Sequence, residues 1–168
     1  WATDRIIPDC VRAWSNNQSV DIRNPRATRP WQYVLEPLSG YLNLAMVLDN
    51  DNKLHGEAFN FGPPSNQNHS VGELIQEMEK HWDKVLWSDV SSEYDGPYES
   101  GLLKLNCDKA LHHLGWQASW DFERTVKETV LWNKIYYQDT SNSIIDTSLS
   151  QINSYVQNAK AKGLLWAM

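Results

Sequence analysis

R-P-W-Q-Y-V-L-E-P-L-S-G-Y-L, residues Arg29 to Leu42, joins an extended piece to a helix without an intervening loop. Pro30 lacks an N–H and so forbids a central ladder position, which makes Thr28 to Val34 a short extended stretch. From Leu35 the apolar residues Leu38, Tyr41, Leu42, Leu44, Ala45 and Leu48 recur at helical spacing and predict an amphipathic helix to about Leu48. Pro37 fits only the first turn of that helix. The pattern places Tyr41 and Leu42 on its core face, Tyr33 as a wall residue, and Glu36 at the helix start, where a carboxylate favours the dipole.

Working outward, Asp4 and its neighbour Thr3 can cap a helix to about Ala13, or the helix starts later with Pro8 in its first turn. Ser19–Arg23 reads as a short strand that Asn24-Pro25 ends. On the C-terminal side Glu57–Phe61 predicts a strand, and Ser65–His69 a polar loop. Ser70 with Glu73 forms a capping box for a helix to His81 or Trp82. Val85–Asp89 and Leu102–Leu105 are short extended pieces flanking a polar loop, Ser91–Gly101. Asp108 starts a brief helix to Leu114 with Gly115 in the C′ place. A longer helix covers about Asp121–Tyr137, its stripe running through Phe122, Val126, Val130 and Ile135. Beyond Gln138 the chain is Ser/Asn/Thr-rich, with a weak helical pattern over Leu149–Ala161. Helices mixed with short strands give an α/β or α+β class.

The 168 residues carry a formal net charge of −6, with 41% hydrophobic and 21% charged residues. These are ordinary globular proportions and exclude wholesale disorder. No apolar run approaches ~18 residues, which excludes a membrane-spanning helix. An acidic balance without a Lys/Arg run argues against a nucleic-acid or anionic-membrane surface. Cys10 and Cys107 belong to no C-x-x-C and read as two free, buried thiols in a reducing compartment. His112 and His113 point to different helical faces, with no Glu or Cys spaced to complete a metal site. The chain starts on Trp1 without a signal-peptide pattern and reads as cut from something longer.

No G-x-G-x-x-G, Walker loop, G-x-S-x-G elbow or H-E-x-x-H occurs, and no Tyr is followed four positions on by Lys. No catalytic group is therefore placed in this chain. Arg5, Arg12, Arg23, Arg26 and Arg29 lie within its first 29 residues, and Arg is the side chain suited to forked phosphate contact. Trp31, Trp116, Trp120 and Trp132 read as packing aromatics rather than ligand stackers.

The blocks D-R-I-I-P-D-C-V-R-A (Asp4–Ala13), I-R-N-P-R-A-T-R-P-W-Q-Y-V-L-E-P-L-S-G-Y-L (Ile22–Leu42), A-F-N-F-G-P (Ala58–Pro63), L-K-L-N-C-D-K-A (Leu103–Ala110) and L-G-W (Leu114–Trp116) carry a resemblance. In order and spacing they resemble the C-terminal half of CDP-glucose 4,6-dehydratases, within the extended short-chain dehydrogenase/reductase superfamily. The resemblance runs from Trp1 to about Tyr137, and the residues from Asp139 match nothing nameable.

The resemblance implies an α/β fold: a substrate-binding lobe over 1–138 with the last Rossmann strand and helix segments, then a polar tail over 139–168. The NAD-binding Rossmann part and every catalytic group would lie upstream of Trp1. It implies a cytoplasmic, NAD-dependent hydro-lyase that converts CDP-glucose to CDP-4-keto-6-deoxyglucose and water for lipopolysaccharide O-antigen sugars. The intact protein would be a homodimer or homotetramer, and this part alone would be inactive. Arg29 stands where relatives bind the nucleotide pyrophosphate. Ile22, Arg23 and Asn24 would frame cytosine, Arg5 and Pro8 form a turn beside the nucleotide, and Asn66 is a polar nucleotide contact. Tyr98 lies where relatives place a late phosphate contact, usually Arg, for which Lys104 is a weak substitute. Competing readings are a lobe of another NAD-dependent nucleotide-sugar epimerase or decarboxylase, or a stand-alone Trp-rich carbohydrate- or protein-binding module.

Overall fold

A computed structural model describes residues 4–50, 52–93, 95–96, 100–138 and 143–168. The element order is α1 (Ile6–Ser15), β1 (Val20–Ile22), β2 (Thr28–Arg29), α2 (Leu35–Asn50), β3 (His69–Ser70), α3 (Val71–Glu79), β4 (Trp87–Asp89), α4 (Asp108–Leu114), α5 (Phe122–Gln138) and α6 (Ile144–Ala161). This is a mixed helix-and-strand fold. No helix among the described residues is long and apolar enough to cross a membrane. The chain divides into two compact units, one of Trp1–Arg29, His69–Leu103 and Val126–Ser148, the other of Pro30–Asn68, Lys104–Thr125 and Leu149–Met168.

In the first unit α1 buries Cys10, Val11 and Trp14, and Pro8 sits in its first turn as the sequence predicts. Asp4 does not cap it; its φ is +59°, and Arg5 takes the N-cap place without a side-chain bond. The Trp14 ring meets Trp82 at 6.2 Å, and its Nε1–H donates to the Leu86 carbonyl at 2.8 Å. β1 pairs in parallel with β4, Val20 opposite Trp87 and Ile22 opposite Asp89, while β2 pairs antiparallel with β3. Of the extended piece 28–34, only Thr28 and Arg29 join a ladder, because Pro30 has no N–H to continue it.

The capping box forms as predicted: Ser70 Oγ accepts from Glu73 N at 3.2 Å, and Glu73 Oε2 accepts from Ser70 N at 2.6 Å. Those bonds, the backbone one foremost, hold the Glu73 carboxyl below its usual value. Substituting Ser70→Ala removes one buttressed acceptor, so stability is expected to drop by about 1 kcal/mol. Thermal unfolding should register this as a Tm lowered by ~2–4 °C; an unchanged Tm would show that the cap contributes nothing.

The second unit is built on aromatic clusters. Phe61 and Trp116 meet edge-to-face at 4.9 Å with Ala110 and Leu114 around them. Tyr33, Trp120 and Tyr155 form a second cluster, with ring separations of 4.7 and 5.1 Å. α4 ends on Gly115 at φ +59°, the left-handed residue the sequence predicts there. Two expectations fail in this unit. Glu57–Phe61 forms no strand, because among the described residues no neighbouring segment offers it a ladder; Phe61 is held by its ring instead. The helical pattern read over Leu149–Ala161 is present within α6, which begins earlier, at Ile144, and buries Tyr155 and Ala159.

The second correction concerns α2, whose facing is the reverse of the expected one. Its buried residues are Glu36, Ser39, Gly40 and Asn43, whereas Tyr41 and Leu42 are 58% and 59% exposed. Each buried polar group has a partner inside the unit, which is what makes this orientation affordable. Asn43 Nδ2 donates to the Leu114 carbonyl at 2.7 Å, and Trp116 Nε1–H donates to Ser39 Oγ at 2.9 Å.

Candidate functional site

The segment carrying most candidate residues, Ile22 to Arg29, is fixed to the first turn of α3. Gly72 N donates to the Pro25 carbonyl at 2.8 Å and Val71 N to the Ala27 carbonyl at 2.9 Å, so N–H groups that the helix itself leaves unused anchor the loop. Ile22 ends β1 only 3% exposed, with its carbonyl accepting from Val90 N at 3.1 Å, so it offers almost no surface to a ligand. Arg23 follows it at the surface and pairs with Asp4 at 3.8 Å. That pair brings the start of α1, with Arg5 and Pro8, to the end of β1. It is largely solvated and contributes little stability.

Asn24 is half-buried, and its carbonyl accepts from Ala27 N at 3.2 Å to close the turn. Arg26 lies close enough to Asp89 to help lower its carboxyl, although the hydrogen bonds from Ser91 are the larger cause. Arg29 is half-buried in β2 opposite His69. Its Nη1 donates to the carbonyls of Thr28 at 2.9 Å and Ser100 at 2.8 Å, which fixes the direction of the guanidinium fork. Thr28 N donates to the Gly101 carbonyl at 2.9 Å, so the segment after residue 99 is tied to the same strand. The structure thus gathers Arg5, Arg23, Asn24 and Arg29 onto elements of one unit.

Asn66 belongs to the other unit, exposed in the turn after Pro64. Lys104 Nζ donates to the Ser65 carbonyl at 3.0 Å, placing a cation one residue from Asn66. That proximity was invisible in the sequence, where the two stand far apart. Tyr98 lies outside the described residues.

Sequence reasoning assigned Glu36 only a dipole role, yet it is a buried group with several hydrogen-bond donors around it. It is 1% exposed and accepts from Ser119 N at 2.9 and 3.1 Å, from Trp120 N at 2.8 Å and from the Tyr155 hydroxyl at 2.7 Å. Burial raises its pKa, opposed by those bonds and by the charge of Lys162. The missed signal was the spacing of Glu36, Ser39, Gly40 and Asn43, a second helical stripe as regular as the apolar one. All its donors are structural, so Glu36 organises the unit rather than reacting.

Cys10 offers no nucleophile, since burial pushes its thiol up to about 12. Cys107 is half-buried rather than buried, as the sequence had suggested, and both cysteines are free.

No protein-family model matches the chain. The chain is 39% identical over 160 residues to the CDP-glucose 4,6-dehydratase of Salmonella typhimurium. The match takes in 93% of this chain and 43% of that relative, and it falls in the relative's C-terminal half. The chain therefore spans less than half the length of the relative it matches. A match over 93% of the chain also extends past Tyr137, so the similarity is longer than the quoted sequence blocks indicate.

Proposed function

We propose that this chain is the CDP-sugar-binding part of a CDP-glucose 4,6-dehydratase, the enzyme that converts CDP-glucose to CDP-4-keto-6-deoxyglucose and water. The observation that carries the reading is the 39% identity sustained over 160 residues. The anchored Arg-bearing segment supports it. In this reading the Arg29 fork, aimed by the Thr28 and Ser100 carbonyls, holds the pyrophosphate through paired charge-assisted hydrogen bonds. Ile22, Arg23 and Asn24 frame the cytosine in this reading, with Arg5 and Pro8 forming a turn beside the nucleotide. Asn66, with Lys104 next to its turn, is a polar nucleotide contact proposed for the second unit by itself.

NAD is the cofactor this reaction uses, and the residues present do not fit it. The only parallel strand pair, among the described residues, is followed by no glycine-rich turn into a helix. No step of the chemistry is assigned to this chain for that reason. Its residues bind and orient the nucleotide, and the groups that oxidise, eliminate and reduce belong to the longer enzyme. A cytoplasmic site of action, a product destined for O-antigen sugars and assembly as a homodimer or homotetramer accompany the proposal.

The test uses a joined protein in which the N-terminal portion of the Salmonella relative precedes Trp1. Arg29→Ala is expected to raise the KM for CDP-glucose by about 10- to 100-fold, the loss of a charged hydrogen-bonded contact. Far-ultraviolet circular dichroism should stay unchanged, because the side chain is only half-buried. A KM equal to that of the unsubstituted protein would overturn the role of Arg29.

A further inference from the structure

The ladder of β2 with β3 sets Arg29 directly opposite His69. Antiparallel partners so placed project from the same face, with Cβ atoms about 5 Å apart. Both residues are half-buried, and both belong to the first unit. They stand far apart in the sequence and meet only through the ladder. Arg29 Nη1 donates to the Thr28 and Ser100 carbonyls at 2.9 and 2.8 Å, and His69 Nδ1 lies 4.0 Å from Glu73 Oε1. The other oxygen of that carboxylate, Oε2, accepts from Ser70 N at 2.6 Å, so the cap of α3 holds Glu73 in place beside the ring.

We propose that His69 is a second, proton-dependent contact for the pyrophosphate of the CDP-sugar, acting as a pair with Arg29. The inference deepens the functional reading above and rests on it. Histidine is the side chain that ordinarily changes charge near neutral pH. Two charged groups face the ring, Glu73 from α3 and Arg29 from β2. Glu73 favours the charged imidazole, whereas like charges directly opposite each other on a ladder are unfavourable. An anion that spans Arg29 and His69 removes that repulsion and accepts a charge-assisted hydrogen bond from each. A diphosphate has the right form, with anionic oxygens on two adjacent phosphorus atoms, one for the Arg29 fork and one for the imidazolium. The pyrophosphate of a CDP-sugar is esterified at both ends and keeps a constant charge through the histidine range, so the proton taken up on binding belongs to His69. Affinity is therefore highest when His69 is charged and falls as pH rises through that range.

The experiment measures KM and kcat for CDP-glucose in the joined protein between about pH 6 and pH 8. The KM of the unsubstituted protein should rise about 10-fold across that range, the loss of one charge-assisted contact. His69→Asn keeps a donor without a titrating charge, so its KM should be flat and, at the acid end, about 10-fold above the unsubstituted value. His69→Arg, permanently charged, should hold the low KM at the alkaline end. Neither substitution should change kcat. If His69 only buttresses the α3 cap through Glu73, His69→Asn lowers Tm and leaves the KM profile as steep as before, which overturns the proposal. A joined protein without turnover at any pH sinks the functional reading, and the imidazole resonance of His69 in the 168-residue chain, assigned by its loss in His69→Asn, still reads the site. Its titration midpoint should rise by about one pH unit with CDP-glucose, the same 10-fold preference, and stay fixed with cytidine, which has no phosphate. A midpoint that CDP-glucose leaves unmoved would equally overturn the pairing of His69 with Arg29.

Discussion

Glu36→Ala lowers stability by about 4 kcal/mol, an effect large enough to leave a marginal domain substantially unfolded. The carboxylate accepts from two backbone N–H groups and one hydroxyl, all buried; Ala leaves Ser119 N and Trp120 N without an acceptor and Tyr155 OH with Ser39 Oγ at 3.0 Å in its place. Water cannot replace them readily, since Glu36 is 1% exposed and Tyr155 equally enclosed. Glu36→Gln keeps the shape and one acceptor but turns an N–H₂ toward a donor, so its loss should be smaller, about 1–3 kcal/mol. Urea midpoints of the two variants check the order. The pH dependence carries a sign. Burial raises the Glu36 pKa above the ordinary 4.5, so the folded protein holds that proton to higher pH than the unfolded chain does. The stabilisation is therefore complete below 4.5 and is lost as pH rises through the raised value. Relative to Glu36→Gln, the wild-type chain should lose ground over that interval. A gap that widened with pH would show that the hydrogen-bond donors outweigh burial.

Gly40→Ala is the second large effect, and its direction opposes helix propensity. A methyl group at Gly40 would stand 2.3, 2.5 and 2.8 Å from three carbons of the Phe61 ring, closer than packed atoms can approach. The ring cannot easily retreat, being buried against Trp116 at 4.9 Å and Tyr41 at 5.6 Å. Mid-helix Gly→Ala ordinarily stabilises by ~1 kcal/mol, whereas overpacking costs ~1–3 kcal/mol or more, so the net expectation is a loss of about 2 kcal/mol. A double-mutant cycle with Phe61→Ala isolates the cause. With the ring removed, Gly40→Ala should become neutral or stabilising, a coupling of ~2–3 kcal/mol. Additive effects would place the strain elsewhere.

Features written into neighbouring residues were legible before the structure. The Ser70/Glu73 capping box, Pro8 in the first turn of α1 and Gly115 at the end of α4 are all set by contacts within one helical turn. Features decided by distant partners were not. The alternation through Phe59 and Phe61 suggested a strand, but a strand exists only if another segment presents a ladder, and none does so here among the described residues. For α2 the periodicity announced an amphipathic helix without saying which stripe is covered. That choice belongs to Ser119, Trp120 and Tyr155, more than eighty positions downstream of Glu36. The candidate site divides the same way. Arg29 was singled out by its place in T-R-P-W-Q-Y, while the approach of Lys104 to the Asn66 turn depends on folding.

The central claim concerns which sugar nucleotide this chain serves and what becomes of it. The direct measurement incubates the joined protein, purified with bound NAD+, with CDP-glucose and identifies the product by mass and NMR. The account predicts loss of one water and appearance of CDP-4-keto-6-deoxyglucose, with UDP- and GDP-sugars turned over far more slowly. A folded joined protein that returned CDP-glucose intact, or converted it to an epimer without losing water, would contradict it.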